Sequence, residues 1–166
     1  MIYTGTFGRF LDPGFQMNFL IAPQDLLEEG KKYLNLFGKP NFMIEKTLGE
    51  IIHQGDIFRY QRKFHKIVAE RKDLFAKLLH TNFENKVTFE VPVSGLAFWV
   101  RFNVSFSLTS LQEKAKEKGL LLPSNCLYQN RTVIALRLGF AHLDEKDMCD
   151  AVRLLHEAYH ETVETK

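Results

Sequence analysis

A chain of 166 residues, 45% of them hydrophobic and 25% charged, has the size and composition of one ordinary globular domain with enough apolar material for a real core. Its 22 basic and 20 acidic side chains leave a net charge of +2, which supplies no whole-molecule field to attract nucleic acid or an anionic membrane. No run of eighteen apolar residues is present, and the N-terminus lacks a signal-peptide pattern, so a cytoplasmic protein with no membrane partner is expected. Cys126 and Cys149 show no CxxC spacing and read as buried or idle reduced thiols. Fifteen Phe, five Tyr and one Trp are many for this length, and part of that surface is expected to meet a neighbouring domain or subunit.

In chain order, residues 1–5 and 16–22 read as strands joined by a Gly- and Pro-bearing turn. Pro23 suits the first turn of a helix over 24–36, with Asp25, Glu28 and Glu29 early in it. After "GKPN" at 38–41 a second helix over 42–54 ends at Gly55, and a long one runs from Asp56 to Leu79 on the spacing of Phe58, Phe64, Ile67, Val68, Phe75 and Leu78. "KVTFEVP" and "GLAFWVRF" read as a β-hairpin with Gly95 in its turn. "SLTSLQEKAKEKG" is a capped helix stopped at Gly119, "LLLP" a short strand, "TVIALRLGF" another strand, and 144–163 a final helix. Strands clustered among helices predict a mainly antiparallel sheet with helices packed on one face.

Two stretches invite a functional reading on pattern alone. In "HEAYH", His156 and His160 lie four apart on one helix face, the spacing of a zinc hydrolase, but no third ligand or HxxGxxH extension follows, so the expectation is a helical His pair and no metal. "YQRKFHKIVAERK" (60–72) mixes basic and aromatic residues, yet Glu70 and Asp73 interrupt it, and its spacing suits the polar face of an amphipathic helix. Arg137 stands inside the apolar strand "VIALRLGF", where a guanidinium needs either a partner or an exposed face.

The stretch "GTFGRFLDPGFQMNFLIAP" resembles the internal-lysine region of fold-type I pyridoxal-phosphate enzymes, in particular the aminotransferase-like domain of MocR-type regulators of the GntR family. "GDIFRYQRKFHKIVAERKDLF" resembles that family's long helix, "SGLAFWVRF" its Gly-His-containing strand, and "LRLGFA" its terminal strand motif. The resemblance implies an α/β (α+β) fold: the small domain of fold-type I aminotransferases, with a mainly antiparallel sheet covered on one face by helices and preceded by a long interdomain helix. Residues 1–23 would be a remnant of the cofactor-binding large domain, 24–82 connecting helices, and 83–166 the C-terminal small domain. The DNA-binding winged helix and most of the large domain would lie upstream of Met1, so DNA would be reached only through a domain absent from this chain.

The resemblance also assigns positions to pyridoxal phosphate: Thr6, Gly8, Arg9 and Gln16. The family's imine-forming lysine is matched by Arg9, whose guanidinium stays protonated and is no nucleophile. The phosphate-clasping arginine is matched by Gln16, which brings no charge, while Gly8 and Asn18 replace a serine and a glycine. No catalytic residue is therefore expected, and although the family uses pyridoxal phosphate, this chain is expected to bind none. Arg9 retains a cation for a phosphate or carboxylate, or pairs with a nearby acid such as Asp12 or faces solvent. At the position of Arg137 the family receives the substrate carboxylate, and "LLLPSNCLY" resembles the loop bordering that pocket. Three readings follow: an inactive C-terminal part of such a regulator, a non-covalent sensor of a carboxylate- or phosphate-bearing effector, and an active aminotransferase fragment in which Lys39 or Lys46 has taken over. Strands without their sheet neighbours leave edges that pair with another copy, so a homodimer is expected, formed by exchange of residues 1–23.

Overall fold

The computed structural model describes residues 1–7, 17–34 and 41–164. These fall into two compact units, Met1–Lys66 and Ile67–Lys166, divided within one long helix.

In the first unit, β1 (Tyr3–Thr6) and β2 (Asn18–Ile21) form an antiparallel pair with Tyr3 opposite Ile21 and Thr6 opposite Asn18. Gly5 lets the Phe19 ring lie across the ribbon: a Cβ at Gly5 would sit 2.4 Å from that ring. Tyr3 and Phe7 flank the same ring at 5.8 and 5.2 Å. Helix α1 (Gln24–Leu34) follows. The Asn41 side chain caps α2 (Phe42–His53) by accepting from the Met43 amide. Gly55, at φ +75°, then turns the chain into α3 (Asp56–Phe83). Among the described residues of this unit only Leu48 and Ile57 are buried apolar side chains. Phe58, which periodicity places in the core, is exposed, and its neighbour Ile57 is buried instead.

The second unit holds the core. Its sheet has the order β3-β4-β6-β5 with every pair antiparallel: β3 (Val87–Thr88), β4 (Ala97–Phe102), β5 (Leu127–Gln129) and β6 (Ile134–Gly139). Alternation along β4 buries Phe98, Val100 and Phe102 and exposes Trp99 and Arg101. Onto the buried face pack Phe75, Leu79 and Phe83 of α3, Leu108, Leu111 and Ala115 of α4 (Leu108–Glu117), and Met148, Val152, Leu155 and Tyr159 of α5 (Glu145–Glu164). The fold class read from the sequence, a mainly antiparallel sheet with helices on one face, is the one observed.

Local signals explain the boundaries. Ser107 caps α4 through the Ser110 amide, and Asp144 caps α5 through the Asp147 amide. Gly119, at φ +88°, ends α4 in a Schellman turn in which the Leu120 amide donates back to Ala115. Three expectations fail. Helix α3 runs on to Phe83 rather than ending at Leu79, because Phe83 belongs to the core. The first strand of the hairpin pairs only at Val87 and Thr88, since Pro92 has no amide for a ladder and the chain leaves the sheet. "LLLP" is no strand: Leu122 is buried and its carbonyl accepts from the Gln112 side chain, Leu121 is exposed, and pairing starts only at Leu127.

Phe98 is 1% exposed and touches Phe75, Phe89 and Phe140 through edge-to-face rings. Phe98→Ala is expected to destabilise this unit by about 3–5 kcal/mol in denaturant unfolding. A loss below about 1 kcal/mol would mean that the aromatic cluster does not hold sheet to helices.

Candidate functional site

Strand register brings the family-matched arginine to a defined place. Arg137 of β6 stands directly opposite Trp99 of β4, so the two share the sheet face that the helices leave open. Arg101, two residues from Trp99, lies on the same face opposite Ala135, and Ala135 is also opposite Tyr128 of β5. The Trp99 and Tyr128 rings are 4.5 Å apart, and they remain 43% and 41% exposed. This face therefore presents two guanidinium groups beside an aromatic pair. Among the described residues no hydrogen bond or ion pair engages the side chain of Arg137 or Arg101. Of the two alternatives open to an arginine in this strand, the exposed face is the one realised.

Arg137 also borders an apolar cavity of about 440 Å³. Its wall includes Leu120, Leu122, Pro123 and Cys126 from the segment after α4, together with Leu138 of β6 and Leu155 of α5. The Schellman turn at Gly119 redirects the chain after α4, and residues 120–123 and Cys126 line the same cavity as Arg137. The rest of the wall is mainly apolar, with Phe75 and with His142 as a further polar side chain, which suits a largely apolar body with a polar or anionic end.

The other matched positions are placed less fully. Thr6 lies on β1, where its hydroxyl donates to the Met17 carbonyl at 3.4 Å, and the side of Gly5 is filled by Phe19. Gly8, Arg9, Asp12, Gln16 and Lys39 lie outside the described residues. Lys46 is on α2, exposed. Cys126 is half-buried and Cys149 exposed, and both are free thiols. Of the charged side chains of "YQRKFHKIVAERK", Arg62, Lys63, Lys66 and Glu70 are exposed, whereas the half-buried Arg71 donates to the Ala141 carbonyl and Lys72 to the Pro92 carbonyl at 3.3 Å.

A second cluster forms at the end of α5. The Nε2 atoms of His156 and His160 are 3.0 Å apart, and Lys86 Nζ approaches His160 Nε2 to 2.8 Å. Glu164 Oε1 is 3.7 Å from His160 Nδ1, and the Phe83 ring meets His156 edge-on at 5.2 Å. Sequence pattern finds the two histidines but misses Lys86, which the short turn after α3 delivers from 74 residues away. Among the described residues no group of three or more His, Cys, Asp or Glu side chains is placed to hold a metal ion. Likewise, no described helix is long and apolar enough to cross a membrane.

Burial lowers the pKa of His156 below its ordinary 6.5, with repulsion from His160 and Lys86 acting in the same sense and Glu157 and Glu84 opposing it. A histidine whose folded pKa is depressed stabilises the fold fully above its unfolded value. That contribution is lost as pH falls below about 6.5 and through the folded pKa, because the unfolded chain binds the proton first. Urea unfolding between about pH 7.5 and 5 should therefore show stability falling, with a shallower fall in His156→Gln. Equal slopes for both proteins would contradict this.

The fold is that of the fold-type I aminotransferases. The α-aminoadipate aminotransferase LysN from Thermus thermophilus, solved with N-(5'-phosphopyridoxyl)-L-leucine, superposes with a TM-score of 0.81 at 22% identity, covering 99% of this chain and 43% of that one. Over nearly its whole length the chain is similar in sequence to bacterial transcriptional regulators. It is 25% identical over 162 residues to the HTH-type transcriptional regulator YdeL of Bacillus subtilis, covering 96% of this chain and 35% of that protein. It is 24% identical over 162 residues to the probable rhizopine catabolism regulatory protein MocR of Rhizobium meliloti, covering 96% and 33%. The chain thus spans about a third of the length of these relatives. No family model matches it.

Proposed function

We propose that this chain is the C-terminal part of an aminotransferase-like transcriptional regulator and that it senses a carboxylate-bearing small molecule without covalent cofactor chemistry. The observation that carries the reading is Arg137, whose unengaged guanidinium stands on the open sheet face beside Trp99 while its residue also borders the apolar cavity. A planar, permanently charged fork in that position suits the two oxygens of a carboxylate, and the neighbouring, mainly apolar wall suits the rest of an amino-acid-like molecule.

The cofactor that the family implies is pyridoxal phosphate, which supplies an electron sink for amino-group chemistry when it is bound. The donor set of this chain does not fit it as a covalently held group. Arg9 offers no free amine where the imine lysine is expected, Gln16 offers an amide in place of a cation, and the open side of Gly5 is taken by the Phe19 ring. Activity of a lone fragment is disfavoured for the same reason, since Lys46 would have to reach the same aldehyde carbon within near-attack distance. DNA is contacted in this reading by a separate upstream domain, and the assembly is a cytoplasmic homodimer. The exposed apolar side chains of Met1–Lys66, among them Ile2, Tyr3, Leu20 and Ile21, support a covering partner.

Calorimetry on the full-length parent with amino acids and dicarboxylates tests the sensor. Saturable binding is expected, weakened at least about tenfold in Arg137→Ala, the loss of a charged hydrogen-bonding group. No binding by the intact parent would remove the reading. Borohydride reduction of that parent in the presence of pyridoxal phosphate should leave this segment unmodified, and a reduced adduct here together with transamination would show a working enzyme. An antibody against this chain is expected to detect a cellular protein about three times its mass, in keeping with a multidomain regulator; a band at the chain's own mass would refute the upstream domains.

A further inference from the structure

We infer that His156 and His160 form a chelating site for a divalent transition metal of tetragonal preference, copper(II) or nickel(II), with Lys86 as its built-in competitor.

Both imidazoles project from one face of α5, and their Nε2 atoms converge to 3.0 Å with the rings steeply inclined, at 80°. With metal–nitrogen bonds of about 2.0–2.1 Å, nitrogens at that separation subtend roughly 95° at a common ion. That is close to the right angle of adjacent positions in square-planar or octahedral coordination and well short of the tetrahedral angle, which favours copper or nickel over zinc.

The protons around these nitrogens point the same way. Lys86 can only donate, so its approach to His160 Nε2 places the lone pair there and the ring proton on Nδ1, the atom that faces Glu164. Glu164 Oε1, 3.7 Å away, lies on the side of that proton, where a carboxylate behind a ligating imidazole is placed. For His156 two arrangements exist. If its Nε2 carries a proton, that proton and Lys86 both compete for one lone pair on His160; if it does not, two lone pairs face each other at 3.0 Å. A cation between the rings satisfies both lone pairs at once. Lys86 supplies a positive charge near that place already, but as an ammonium it engages one ring nitrogen and repels an incoming ion.

The ring geometry is held by the core. Phe83 meets His156 edge-on, and Tyr159, between the two histidines in sequence, is buried in the main cluster. His160 stays 38% exposed at its side chain, which leaves an entry path and room for water in the remaining coordination positions. With two protein ligands this is a binding site and not the hydrolytic centre that "HEAYH" suggests by pattern. It uses residues other than those of the proposed sensor, so each can fail alone.

The test is copper(II) titration of the untagged full chain, followed by calorimetry and electron paramagnetic resonance. One equivalent should bind with hyperfine splitting from two imidazole nitrogens. His160→Gln, at the half-exposed position, should lower affinity at least about tenfold and leave one nitrogen in the spectrum. Lys86→Met should raise affinity several-fold by removing the competing charge. Circular dichroism of each variant confirms that it is folded. Wild-type affinity in His160→Gln, a spectrum without two equivalent nitrogens, or weaker binding in Lys86→Met would each overturn the assignment.

Discussion

The contact of Phe98 with Phe75 and Phe140 is the constraint on which the second unit depends. Those three side chains come from β4, from the far half of α3 and from the end of β6, and their rings meet at 5.2 to 6.3 Å. Because aromatic pairs favour edge-to-face geometry, the cluster fixes the angle of the sheet on the helix as well as its distance. A second aromatic group, Phe83, Phe102, Phe106 and Tyr159, repeats the arrangement further along and draws α5 onto the same face. With all of the apolar layers on one side, the pleat sends every alternate residue of β4 and β6 to the other.

That division decides what the open face can carry. Burying a guanidinium among Phe and Leu would cost far more than any local contact returns, yet the strand "VIALRLGF" places Arg137 where water reaches it, opposite Trp99. The face is thus polar and aromatic without loss to the core. Arg101 and Tyr128 arrive there by register alone: one is two residues from Trp99, and the other is opposite the same alanine as Arg101. The cation is free to meet an anion because its strand neighbours, Leu136 and Leu138, anchor the backbone on the other side.

Much of this is legible in the chain. Helix starts at Asn41, Ser107 and Asp144 and the stop at Gly119 are signalled by residues whose side chains or φ angles do the capping. The alternation in "AFWVRF" and the periodicity after Ile67 define the layers, since packing within Ile67–Lys166 satisfies them locally. Reading fails where the competing force is tertiary. "LLLP" has strand propensity, but Leu122 is drawn into the core and Pro123 cannot donate. Phe58 has helical spacing, but among the described residues of Met1–Lys66 only Leu48 and Ile57 are buried apolar side chains. Arg137 is visible as a residue out of character with its strand; its aromatic neighbours are not, because register is a property of pairs.

The helix that closes the chain shows how one periodicity serves two ends. Met148, Val152, Leu155, Tyr159 and Thr162 follow the 3.6-residue repeat and lie buried against the sheet and α4. His156 and His160 are each one position further round, on the flank where the core gives way to solvent. A pair four apart on a free helix would sample many ring orientations. Here Leu155 and Tyr159 pin the backbone on one side and Phe83 stops one ring on the other, so the order of these imidazoles is supplied by the core and requires no ligand. Lys86 reaches them because Glu84, in a left-handed conformation at φ +44°, ends α3 abruptly and starts the short turn that carries the lysine back over α5. The three nitrogens therefore meet through two ordinary features, a helix repeat and a helix stop, and only the first is visible in "HEAYH" itself.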